Sequence, residues 1–444
     1  KMTNKKYFFI GIGGIGMSSI AQYLNEKGNT ILGYDVSRNK SVKILEKNGI
    51  EVINNLSLKS IPDYMKREDV IVIYTPAIPD DNIFLKYYRS NGNNQIYKRS
   101  EILGEISKQS KCIAVAGTHG KTTTTAIISH LFYSSGMHFK AFIGGIMKCF
   151  DSNYINTGND YIIVEADEYD RSFLSLNPNY AAITSIENDH LDVYGDFKSL
   201  TKSFKSFANN VKDVLITDAE IDIDKDFSFS IKSDSDYHAN NIKILENGIR
   251  FDLKTPNNFY SDISANIIGL HNLKNTLAAL SIIDQIQEID IQKLLPFLST
   301  FKGIERRMDI YKLDNKVVID DYAHHPTEIE SVLNTIQTNY KNKSKAVVFQ
   351  PHLFSRTRDF MDEFATVLSK FDEVYLLDIY PAREKPIIGV SSQILLEKIN
   401  CSKKKIIDSK SIDDIVLNTK IEIISILGAG NISENLNKEI FQNV

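Results

Sequence analysis

Two glycine-rich turns in one chain set the strongest limit on its fold: "FFIGIGGIGMSSIA" from Phe8 and "CIAVAGTHGKTTTTA" from Cys112. Each joins an apolar run of strand length to a helical stretch through glycines. Bare backbone N–H groups at such a turn meet an anion at the helix N-terminus. Turns of this kind belong to parallel sheets with helices on both faces, so the chain must hold at least two α/β units.

In the first turn Gly11, Gly13 and Gly16 match G-x-G-x-x-G, and Asp35 stands at the end of the following strand "TILGYD". A carboxylate there is placed for a ribose hydroxyl. The pattern reports a diphosphate with a ribose attached and does not separate NAD from a UDP-sugar, so a dehydrogenase is one competing reading. Glycines needed only for tight packing are the plainer one.

The second turn fails the strict phosphate-loop pattern, because Val115 stands where the first glycine belongs. What remains is Gly117, Thr118, His119, Gly120, Lys121, Thr122 and Thr123 between a buried strand and a helix. Backbone donors and the helix dipole can still hold the phosphates of ATP, with Lys121 neutralising the transferred group and the Thr122 hydroxyl facing Mg²⁺. Metal ligands are expected at neighbouring strand ends, and "YIIVEADEYD" offers Glu165 while "AAITSIENDH" offers His190. Histidine is an uncommon magnesium ligand, so a hydrogen-bonding role for His190 stands beside the metal role. Asp167, Glu168 and Asp170 read either as further ligands or as a solvated acidic loop. His271, Asn272 and Asn275 share one helical turn, where amides suit adenine edges and ordinary capping is the alternative.

The alternation of strands and helices gives an α/β fold in three domains. Residues 1–108 form a Rossmann-like unit, 109–300 a P-loop-type ATPase unit with extra antiparallel strands, and 301–444 a second Rossmann-like unit. The added strands are placed in the polar stretch 209–262. In the last unit "DDYAHHPTEIE" and "FQPHLFSRTRDF" both follow strands, which brings Asp320, Asp321, His324, His325, His352, Arg356 and Arg358 to the C-terminal strand ends as an anion-capturing pocket, with a surface histidine cluster as the plainer reading. Arginine there suits a carboxylate or phosphate. Pro326 and Glu328 read as helix-start residues, and the adjacent histidines lack a third ligand at zinc spacing.

Composition closes other classes. A net charge of −4 gives no basic field for nucleic acid, and 42% hydrophobic with 24% charged residues is ordinary for a globular chain. No apolar run approaches the roughly 18 residues of a membrane span. The N-terminal "YFFIGI" reads as a first strand rather than a secretory signal. Three cysteines without a CxxC pair fit a reducing, cytoplasmic setting. Oligomeric state is not set by any of these features.

With the motifs in order, the chain resembles the Mur ligase family across its whole length. The residues that carry the resemblance are "GIGGIGMS", "GTHGKTTTT", "EADE", "IENDHLDVY", "GLHNLKNTLAAL", "DDYAHHPTE" and "FQPHLFSRTRDF". It implies an ATP- and Mg²⁺-dependent amide-forming enzyme of peptidoglycan precursor synthesis, adding L-alanine to the lactyl carboxylate of UDP-N-acetylmuramate. By the same resemblance Gly13, Gly14, Ile15, Gly16, Asp35 and Thr75 serve the UDP-sugar. Gly117 through Thr123, His271, Asn275, Arg306 and Asp321 serve ATP. Thr122, Glu165 and His190 hold the metal, with Lys121, Glu165 and His190 carrying the chemistry, and Tyr322, His324, His352 and Arg356 receive the amino acid. Two departures stand out: Leu353 replaces an arginine of many relatives, leaving Arg356 as the carboxylate clamp, and Thr75-Pro76 replaces a Ser-Ser pair. The ligase that recycles a tripeptide onto the same UDP-sugar is the nearest alternative, and an NTP-driven switch is a third class.

Overall fold

The computed structural model describes residues 2–189, 191–382 and 384–443. Three sheets carry the chain. The first runs Glu51–Ile53, Thr30–Tyr34, Lys6–Ile10, Val70–Tyr74, Ile96–Lys98, with every neighbouring pair parallel. Lys6–Ile10 reads KYFFI and buries its last four residues, as a parallel strand covered on both faces must. Strand order reverses beside it, so helix Ile15–Glu26 starts at the switch point where open parallel sheets bind ligands.

The second sheet has ten strands. At its centre Lys111–Ala116 lies between Tyr180–Ile183 and Tyr161–Ala166, parallel to both, and Phe139–Met147 follows in parallel. Ser152–Asn156 closes that edge antiparallel. On the other side the expected antiparallel addition is corrected in part. Val214–Asp218, Phe227–Ser230 and Tyr237–Leu245 each pair in parallel with the strand before. Alternating polarity says that a strand has one buried face and leaves its direction open. The tight connection that antiparallel neighbours allow comes afterwards, where two residues separate Tyr237–Leu245 from Gly248–Lys254.

The third sheet runs Lys403–Ile406, Glu373–Leu376, Lys345–Phe349, Ile423–Leu427, Lys316–Asp321 in parallel, then Asp309–Leu313 and Gln442–Asn443 antiparallel. Among the described residues no helix is long and apolar enough to cross a membrane.

By compactness the chain forms two units. One comprises the chain up to Asn241 with Phe251–Ala265 and Lys274–Lys302; the other comprises Ile242–Arg250, Asn266–Leu273 and the chain from Gly303 onward. The first unit holds the first sheet and most of the second around a shared core. Tyr23 on helix Ile15–Glu26 packs edge-on to Phe142 at 5.7 Å and to Tyr154 at 6.4 Å, contacts that add about 0.5–1.5 kcal/mol each beyond their burial. Asn153 accepts from Gln22 at 2.9 Å and donates to the Ile15 carbonyl at 2.7 Å, so a buried amide ties the second sheet to the start of the first helix.

Candidate active site

The strand Lys111–Ala116 ends at Gly117, whose φ is +141°, and Gly120 has φ +83°. Both values lie where side chains rarely go. Space demands glycine as well: a Cβ at Gly117 would meet the Thr184 hydroxyl, and one at Gly120 the Asn275 amide. The segment after Tyr180–Ile183 braces the turn, with Thr118 N donating to the Ser185 carbonyl, His119 N to Ser185 Oγ and Glu187 N to Thr118 Oγ1, each at 3.0 Å. Glu187 stands 3.2 Å from His119 Nε2.

Lys121 opens helix Lys121–Ser134, in which Thr122 and Thr123 are buried. Its ammonium donates to the Gly117 carbonyl at 2.6 Å and to both Glu168 oxygens at 3.0 and 2.8 Å. Burial alone would lower the lysine's pKa, but the charges of Glu168, Asp167 and Glu165 more than offset it and hold the ammonium above its usual range. The acidic segment is therefore no solvated loop at Glu168, which is completely buried and whose carbonyl accepts from the Tyr194 hydroxyl. Thr122 Oγ1 donates to Glu165 Oε1 at 2.6 Å. Gly144 leaves room for that carboxylate, since a Cβ there would strike it. A hydroxyl and a carboxylate together form the oxygen set that a hard divalent cation takes. His190 lies outside the described residues.

The first turn uses its donors differently. Gly11 N and Ile12 N both reach the Tyr34 carbonyl, at 2.8 and 3.0 Å, and Gly14 N reaches the Gly11 carbonyl at 3.3 Å. Gly13 N donates to Asp35 Oδ2 at 2.8 Å, and Asp35 also accepts from Ser37 N at 2.9 Å. The carboxylate expected on a ribose is thus engaged with the turn itself. Thr75 lines the same place, its methyl 3.3 Å from where a Gly11 Cβ would be. Ile15 and Gly16 begin the helix, where N–H groups have no partner within the helix.

In the second unit Tyr322, His324, His352 and Arg356 come together as the sequence predicts. The His324 ring lies 5.5 Å from Tyr322 and 5.9 Å from His352. Arg356, buried, donates to His352 Nδ1 at 3.2 Å. His325 turns away to cap helix Pro326–Asn339 and pack on Phe360, and Arg358 is exposed beside Asp359. Asp321 accepts from Met308 N and Ala323 N at 2.7 and 2.8 Å, yet burial raises its pKa to about 6. Burial also lowers His271 to about 4, leaving it neutral near pH 7. Asn272 donates to the Ile268 carbonyl at 2.9 Å, just before helix Leu270–Asp284. Arg306 is engaged inside the sheet: it meets the fully buried Asp320 at 3.2 Å and the carbonyls of Gly428 and Gly430 at 2.6 Å each.

Several residues of the site escape sequence reading. Glu168 is read from sequence as a further metal ligand or a solvated acid, and its pairing with Lys121 carries no signal there; Gly144 sits in a strand without a turn signal. Tyr380 stacks on His352 at 5.5 Å from a segment with no pattern of its own. Leu353 is buried with φ +72°, an unusual backbone for leucine that sets the turn between His352 and helix Phe354–Asp359. Arg99 starts helix Arg99–Ser107 and lays its guanidinium against Gly16.

Comparison with known proteins finds family matches along most of the chain. The profile described as "Mur ligase family, catalytic domain" matches residues 6–111, "Mur ligase middle domain" matches 115–283, and "Mur ligase, glutamate ligase domain" matches 306–424. The chain is 44% identical to the UDP-N-acetylmuramate–L-alanine ligase of Christiangramia forsetii, over 98% of this chain and 96% of that protein. It is 42% identical to the ligase of the same name from Flavobacterium psychrophilum, over 98% and 97%. Among solved structures it is similar to UDP-N-acetylmuramate-alanine ligase from Thermotoga maritima, with TM-score 0.83, 29% identity and 97% of each chain covered. A murein peptide ligase from Psychrobacter arcticus shares the fold at TM-score 0.75 and 21% identity, over 98% and 97%.

Proposed function

We propose, for a chain that belongs to the Mur ligase family, that it joins L-alanine to the lactyl carboxylate of UDP-N-acetylmuramate with ATP, giving ADP, phosphate and UDP-N-acetylmuramoyl-L-alanine. Family membership sets aside the dehydrogenase reading of the first turn. The observation that carries the proposal is the charged ammonium of Lys121 beside the Thr122–Glu165 pair, in a chain closely similar to alanine-adding ligases.

In this reading the first turn, in segment 1–108, holds the UDP-sugar, and the second, in segment 109–300, holds the ATP phosphates. As the lactyl carboxylate attacks the γ-phosphorus, Lys121 offsets the charge on the transferred group, and ADP leaves behind an acyl phosphate. Thr122, Glu165 and His190 would hold Mg²⁺, which supplies further positive charge at the phosphate oxygens when bound. The alanine amine, its proton taken by a base, attacks the acyl carbon, and phosphate departs from the tetrahedral adduct. His190 and the carboxylates of residues 165–168 are the candidates for that base. In segment 301–444 Arg356 would clamp the alanine carboxylate beside Tyr322, His324 and His352. His271, Asn275, Arg306 and Asp321 join the ATP set through the sequence resemblance. With these substrates the enzyme would serve peptidoglycan precursor synthesis in the cytoplasm.

The test is phosphate release from ATP and Mg²⁺ with UDP-N-acetylmuramate, comparing L-alanine, glycine, L-serine and the recycled tripeptide, with product mass read alongside. Alanine-dependent release and a UDP-sugar heavier by one alanine residue are expected. Release with the tripeptide alone would reassign the chain to the recycling activity.

A further inference from the structure

We propose that Arg99 is a binding residue for the sugar nucleotide, its guanidinium pairing with an oxyanion of the UDP-sugar. This rests on the reading above that the first turn holds that substrate.

The first turn offers its ligand only the N–H groups of Ile15 and Gly16 at the helix start and carries no cation of its own. The N–H groups of Gly11, Ile12, Gly13 and Gly14 are all engaged within the protein, and Asp35 adds a negative charge at Gly13. No lysine follows the glycines, in contrast to Lys121. Arg99 supplies the missing charge from outside the motif. It opens helix Arg99–Ser107, and its Nη1 lies 3.0 Å from where a Cβ on Gly16 would be, so the absent side chain is what lets the guanidinium close. The side chain is only 20% exposed, and its ion-pair partner, Asp167, stands at 3.7 Å, beyond hydrogen-bond length. A guanidinium held so closely, with its fork of donors left for another group, matches an oxyanion in shape and charge.

Position narrows the ligand. Arg99 touches Gly16 on one side and faces Asp167 on the other, two residues beyond Glu165. It therefore stands between the first turn and the segment that carries the phosphoryl-transfer carboxylates. Two oxyanions of one substrate come to that place, the diphosphate and the lactyl carboxylate.

The experiment measures KM for UDP-N-acetylmuramate, ATP and L-alanine in wild type, Arg99→Ala and Arg99→Lys, with UDP and UDP-N-acetylglucosamine as inhibitors competing for the sugar-nucleotide site. Losing a charge-assisted contact predicts a KM for UDP-N-acetylmuramate raised about tenfold or more in Arg99→Ala, less in Arg99→Lys, with ATP and alanine within about twofold. Weakened inhibition by UDP and UDP-N-acetylglucosamine as well assigns the contact to the diphosphate; unchanged inhibition assigns it to the lactyl carboxylate. Thermal unfolding with UDP-N-acetylmuramate gives a readout without turnover: the upward shift in Tm of the wild type should shrink in Arg99→Ala. An unchanged KM and Tm shift, or equal losses for all three substrates, would overturn the proposal. A wild type that neither turns over nor is stabilised by UDP-N-acetylmuramate would instead overturn the reading of the first turn, and this proposal with it.

Discussion

The two glycine turns look alike as backbone and differ as electrostatics. Both follow a buried parallel strand and open a helix. The second carries its own cation and cages it with the buried carboxylate of Glu168. The first has no cation in its motif and commits the Gly13 N–H to Asp35. The difference teaches that glycine spacing specifies a path for the backbone, whereas the charge a ligand meets is set by residues distant in sequence.

Lys121→Ala should break the second turn outright. Removing a positioned charge at a transferring group is expected to lower kcat by about a thousandfold, measured as alanine-dependent phosphate release, while the Tm shift with UDP-N-acetylmuramate persists. Full amide synthesis in that variant would erase the distinction between the turns. Glu168→Gln sharpens it from the other side: it leaves a buried ammonium short of its counterion and should cost about 3 kcal/mol in urea unfolding without nucleotide. Saturating ATP should recover much of that loss, because phosphate takes over the carboxylate's part. No recovery would mean that Glu168 serves the fold alone.

Steric variants separate the turns more gently. Gly13→Ala puts a Cβ 2.7 Å from Val42 and 2.8 Å from Asp35, so a loss of about 1–3 kcal/mol with a raised KM for the UDP-sugar is expected. Gly144→Ala presses on Glu165 and should raise KM for ATP instead. If each variant moved both constants equally, the two turns would not be separate sites. The smallest effect belongs to Gly14→Ala, whose added Cβ meets nothing closer than 3.5 Å. Stability should change by under about 1 kcal/mol, and a rise in KM for UDP-N-acetylmuramate would then report the substrate itself against that glycine.

The sequence made the glycine turns legible because positive φ and close approach leave few other residues possible, as at Gly117 and Gly120. The buried strands were legible from their apolar runs, and the Tyr322–His324–His352–Arg356 group from its place after two such strands. What stayed hidden depends on partners far along the chain. Glu168 becomes a counterion only because Tyr161–Ala166 lies beside Lys111–Ala116. Arg99 lies in no motif of the sequence, and Arg306 gave no sign that Asp320 and two carbonyls would occupy it. Direction in the strands from Val214 to Leu245 was hidden for another reason: a period of two marks a buried face and carries no arrow.

The division of the chain has a consequence for synthesis. The second unit takes Ile242–Arg250 and Asn266–Leu273 from within the first unit's stretch of sequence. A ribosome therefore releases those pieces before the chain from Gly303 onward exists, and they must wait for it. A protease cut near Lys302 would leave every piece of the first unit in the N-terminal fragment and split the second, so a transplant of the C-terminal part into another ligase should carry those two short segments with it.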